Sequence, residues 1–73
     1  MPQKRNRHIP PEKLAGYRFE AQYVGEDNWT PRPTERALEI LGDSYTDVEI
    51  IVDYLRDGSS IRTPFAFYRM VRV

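Results

Sequence analysis

The stretch that most restricts the fold is TDVEIIVDYLRDG, residues 46–58. Val48, Ile51, Val52 and Leu55 recur at the i, i+3, i+4, i+7 spacing that gathers side chains on one face of a helix. Thr46 is placed to cap the first turn, and Glu49 three residues on to answer it from the other direction, as in a capping box. Tyr45 and Ile50 have the spacing of a hydrophobic staple, and Gly58 is free to take the left-handed conformation that closes a helix. The same residues alternate as Val48, Ile50, Val52 and Tyr54 ahead of Asp57-Gly58, a strand-and-turn pattern. That strand would mix Glu49, Ile51, Asp53 and Leu55 on its other face, so the helix is the better reading.

Upstream, Pro33 and Thr34 open a shorter helix whose apolar side is Ala37, Leu38, Ile40 and Leu41, with Gly42 at its end. Two turns do not hold in water unaided, because nucleation costs more than so few hydrogen bonds return. The short helix must therefore pack on the longer one across residues 42–45, as a helix–turn–helix pair. ERALEILG…TDVEIIVDYL is similar in cadence to the last two helices of a ubiquitin-associated domain, over about a third of the chain. Strands flank the pair here and do not belong to that fold, so the pair is taken as two generic packed helices.

Two segments alternate with the period of a strand. Tyr17, Phe19, Ala21 and Tyr23 oppose Arg18, Glu20 and Gln22 in residues 17–24. In residues 65–73, Phe65, Phe67, Arg69, Val71 and Val73 oppose Ala66, Tyr68, Met70 and Arg72. Pro11 to Ala15 suits one helical turn stopped by Gly16, GEDNWTPR (residues 25–32) is a loop by every local signal, and a brief strand is expected near Ile61 before Pro64. The expected fold is a small single α+β domain, residues 11–73, behind a flexible basic arm, residues 1–10. Its antiparallel sheet of two or three strands packs on the helix pair. Phe19, Tyr23, Phe67 and Val71 would meet Leu38, Leu41, Val48, Ile51, Val52 and Leu55 in the core. On that assignment Leu55→Ala removes the cooperative thermal transition and Tyr68→Ala keeps it.

Function is less constrained. Seventy-three residues without cysteine make one small core with no disulfide and no thiolate metal site. No run of residues reaches the ~20 apolar positions of a membrane helix, and no apolar segment follows the basic start as in a secretory signal, so no membrane association and a cytoplasmic location are expected. Glu26 with Asp27, and Asp43, Asp47 with Glu49, lack the ligand number and spacing of a calcium loop; acids at a helix start suit its dipole, so neither a metal nor a cofactor is expected. The only histidine, His8, falls in the arm, and no nucleophile–base pair or phosphate loop is present, so no enzymatic role is expected.

What remains is binding. The formal charge is zero but uneven, with Lys4, Arg5, Arg7 and His8 at the start, acids across residues 35–57, and Arg62, Arg69 and Arg72 near the end. The first expectation is a regulatory or binding module for a protein partner. Trp29, Tyr68 and Met70 would be its anchors and Arg62, Arg69 and Arg72 its charges, with a homodimer through the last strand as one form. Trp29 otherwise folds back as a lid over the core. The alternative is a nucleic-acid binder using Lys4, Arg5, Arg7, Arg62, Arg69 and Arg72, since the element order follows that of a winged helix. Asp47, Glu49, Asp53 and Asp57 on the would-be recognition helix oppose phosphate contact, which leaves only a sheet-and-arm mode.

Overall fold

The computed structural model describes residues 9–73. In chain order the elements are α1 (Pro11–Leu14), β1 (Tyr17–Tyr23), β2 (Thr30–Arg32), α2 (Thr34–Ser44), α3 (Val48–Arg56), β3 (Ile61–Arg62) and β4 (Ala66–Arg72). The α+β class and the antiparallel sheet are as expected. The sheet has four strands, not two or three, in the order β2-β1-β4-β3. The extra strand is β2, which lies in the stretch GEDNWTPR that the local signals assign to a loop. Pairing Phe19 with Arg32 and Ala21 with Thr30 puts it at the sheet edge, where a residue with no N–H to donate is tolerated.

Residues 48–56 are helical, and Val48, Val52 and Leu55 are fully enclosed, with Ile51 packed alongside. The cap is one residue later than the capping box requires. Asp47, not Thr46, accepts the Ile50 N–H, at 3.3 Å. Asp47 takes the extended backbone of the cap, and a carboxylate is a stronger acceptor for a helix-start N–H than a threonine hydroxyl. Glu49 is drawn away to Lys13 of α1, 3.0 Å from its ammonium, and Ile50 is exposed, so there is no staple. The helix closes as expected on Gly58, whose φ is +97°, with its N–H donating to Leu55 O.

The upstream helix does not stop at Gly42 but continues to Ser44. A glycine within a helix costs only about 1 kcal/mol. Tyr45 offsets it by packing against the core, its N–H donating to Leu41 O and its hydroxyl donating to Arg62 O. Before β1, α1 makes one turn and Gly16 breaks it at φ +81°. Ile9, assigned by its neighbours to the arm, is buried with the core.

One expectation is reversed in a way that matters for function. β1 and β4 pair antiparallel with Phe19 opposite Met70, Ala21 opposite Tyr68, and Tyr23 opposite Ala66. Residues opposite each other share a face, so Ala66, Tyr68 and Met70 join Phe19 and Ala21 under the helices, where all are buried. Phe67 and Val71, assigned to the core by alternation, lie half-buried on the other face. The reason is the position of the charge along the strand. The odd set carries Arg69 at its centre, whereas the even set carries its one charge, Arg72, at the end, where it can leave the core. Ala66 also lets the helical layer approach closely, as a phenylalanine there would not.

Candidate functional site

Arg18, Glu20 and Gln22 of β1 share the sheet's second face with Phe67, Arg69 and Val71 of β4, Pro31 of β2 and Arg62 of β3. The helices lie on the opposite side, so among the described residues this face is overlaid only by the chain from the β1–β2 connection.

At its centre is Glu20, a carboxylate only 4% exposed on a face expected to be in water. The Arg69 guanidinium, its cross-strand neighbour, donates twice to Glu20 Oε1, at 2.9 Å from Nε and 2.7 Å from Nη2. Arg18 takes the other oxygen, Oε2, at 2.9 Å from Nε and 2.8 Å from Nη2. Both carboxylate oxygens are therefore held by charge-assisted hydrogen bonds, which compensates for removing the charge from water. The hydrogen bonds from Arg69 hold the Glu20 carboxyl below its usual range; burial opposes them and Arg18 adds to them.

Trp29 folds back, but not over the core. Its ring lies on the Arg69 guanidinium, 4.1 Å from centroid to Cζ, on the open face. A cation on an indole face is the best of the cation–π geometries. Beside it Arg62 lies over the Phe67 ring at 5.5 Å. The result is a rigid patch in which each arginine is set by an aromatic ring or a carboxylate: Trp29, Arg69, Glu20 and Arg18 in one cluster, Phe67 and Arg62 in the next.

Of the residues that sequence singled out, Trp29, Arg62 and Arg69 are brought to this one face. Tyr68 and Met70 are not; they are 2% and 6% exposed in the core and are withdrawn as surface anchors. Arg72 belongs to the other face, where it shares the Tyr17 ring with Arg56, at 5.7 and 5.3 Å. Lys4, Arg5 and Arg7 lie outside the described residues. Sequence reasoning missed Arg18, Glu20 and Phe67. The legible signal was charge complementarity: an acid in the middle of β1's polar set and a base in the middle of β4's odd set, which pair once both sets share a face.

Among the described residues no group of three or more His, Cys, Asp or Glu side chains could hold a metal ion, and no helix is long and apolar enough to cross a membrane. No family model, curated protein sequence or solved structure matches this chain.

Proposed function

We propose that the protein is a non-catalytic binding module that engages a protein partner through the open face of its sheet. The observation that carries this reading is the Trp29–Arg69–Glu20–Arg18 cluster beside Phe67 and Arg62, held rigid on a sheet that packs helices on its other side only. Tryptophan and arginine are the side chains most enriched where binding energy concentrates, and a pre-ordered arginine loses less entropy when a partner arrives. Arg18, Arg62 and Arg69 outnumber Glu20, so the partner surface best suited to the face carries acids, with apolar groups to meet Trp29 and Phe67.

Nucleic acid is the second reading, because aromatics and arginines on a four-stranded sheet can stack and hold a single strand. The geometry favours it less. Glu20 occupies the Arg69 and Arg18 guanidinium groups, Arg69 covers one face of the Trp29 ring, and Arg72 is on the far side of the sheet.

The test compares capture of partners from a native lysate by the wild type, by Phe67→Ser/Arg62→Glu, and by Ile50→Ser on the exposed side of α3. Capture by the wild type and Ile50→Ser but not by the open-face variant supports the proposal; equal capture by all three overturns it. Parallel titration with a random DNA duplex and a structured RNA, at low and moderate salt, decides the second reading. Micromolar binding that weakens steeply with salt would replace the protein partner with nucleic acid.

A further inference from the structure

On the helix side of the sheet, where β2 meets α2, a cleft of about 480 Å³ opens to solvent. That is within the ~300–1,000 Å³ common for small-molecule sites. Its polar lining includes Arg32, Arg36, Tyr23 and Tyr68, and Ile40 and Phe65 add apolar surface. The cleft belongs to neither the Glu20 cluster nor the open face.

Arg32 is the unusual member. Its Nε–H is buried and has no hydrogen-bond partner, and none of the ion pairs among the described residues uses it. A buried donor left unsatisfied costs about 1–3 kcal/mol, and more when it belongs to a charged group. Two prolines, Pro31 and Pro33, flank Arg32 and fix the backbone torsion on either side of it. The backbone at Arg32 is thus held extended, and among the described residues no carboxylate forms an ion pair with its guanidinium. Arg36, one helical turn into α2, brings a second cation whose ion pair among the described residues is with surface Glu39. The Tyr68 phenol, buried in the lining of the same cleft, has its pKa raised by that burial against the opposing charges of Arg32 and Arg36, and stays a neutral O–H donor. The one acid of the lining, Asp43, also lines a neighbouring groove with Arg62 and stands about two helical turns beyond Arg36 on α2.

We infer that this cleft binds a small molecule with an oxyanion head group, a carboxylate or a phosphate, attached to an apolar body. The head group is held by Arg32 and Arg36 with the tyrosine hydroxyls as further donors, in the bidentate manner that suits a planar guanidinium. The body lies against Ile40 and Phe65. Phe65, 77% exposed at the mouth, is free to close over it.

The experiment follows the Arg32 Nε–H signal by ¹H–¹⁵N NMR in the full chain during titration with benzoate and, separately, inorganic phosphate, each up to about 20 mM, enough to saturate a site of ~1 mM affinity. The expected result is a saturable shift of the Arg32 signal with at least one probe, weakened about tenfold or more in Arg36→Gln. Saturation by benzoate alone identifies a carboxylate on an apolar body, and by phosphate alone a phosphate head group. An Arg32 signal that stays in place, moves linearly without saturation, or responds identically in Arg36→Gln overturns the inference. The wild-type titration alone can do so, even if a variant fails to fold.

Discussion

β4 shows two surfaces built on one strand. Its even side, Ala66, Tyr68 and Met70, is sealed under α2 and α3; its odd side, Phe67, Arg69 and Val71, stays at the surface. The two sides differ little in apolar content, and the one that looks more hydrophobic is the outer one. Burial here follows where the charge sits, not how many apolar atoms a face carries. The covered face keeps its charges to the margins: Arg72 meets Arg56 of α3 on Tyr17 at one end of the sheet, and Arg32 lies on the edge strand β2. The open face has its charge in the centre and makes it tolerable with an ion pair and a ring. The covered face thus holds the apolar core, and the open one holds a charge cluster in which each group has a partner.

The largest expected effect is the one that could break this contrast. Tyr68→Ala removes a large buried ring, a loss of about 3–5 kcal/mol for aromatic-to-alanine changes in cores. A domain of this size rarely has more than about 3–5 kcal/mol in total, so the cooperative thermal transition should disappear, as it should in Leu55→Ala. The structure thereby reverses the expectation that Tyr68→Ala is tolerated. Phe67→Ala, one residue away, should cost no more than about 1 kcal/mol and keep its transition. Equal losses at the two positions would abolish the distinction between the faces.

A smaller effect sharpens the contrast from the open side. Glu20→Gln leaves Arg69 and Arg18 without a charged partner and should cost about 1–2 kcal/mol, reduced by the partial exposure of both arginines. Because the folded-state value of Glu20 lies below its usual 4.5, its contribution is complete above the unfolded value and is lost as pH falls through the folded one. Denaturant midpoints of the wild type and Glu20→Gln should therefore differ at neutral pH and converge as pH drops under 4.5 and through the lower folded-state value. A difference that is constant across that window would mean that the ion pair does not support the open face.

The smallest effect concerns how the covering layer is held. Asp47→Ala should lower stability by about 1 kcal/mol through loss of the α3 cap. Thr46→Ala should remain within about 0.5 kcal/mol. The reverse order in thermal or urea melts would restore the capping box and shift the start of α3.

Local pattern was enough for much of this molecule. The face of α3 carrying Val48, Val52 and Leu55, the inward set of β1, the single turn of α1 and the closure at Gly58 all follow from spacing and backbone preference, which act within a few residues. Trp29, Arg62 and Arg69 were legible as surface candidates because aromatics in loops and cations in strands stand out in composition alone. Strand β2 was not legible, because whether Pro31 is tolerable depends on which side of the strand is left unpaired. Nor could alternation assign a face to β4: a period of two separates odd from even but does not say which lies inward. The register against β1 decided that, setting Arg69 opposite Glu20 and Tyr68 opposite Ala21. A separate pairing, of β1 with β2, set Arg32 alongside Phe19 and in the cleft with Tyr68. Sequence by itself determined the elements and most of their apolar faces, since those depend on neighbours along the chain. Only the tertiary structure decided which face of the last strand lies under the helices and which stays open, because that rests on pairing between residues some fifty positions apart.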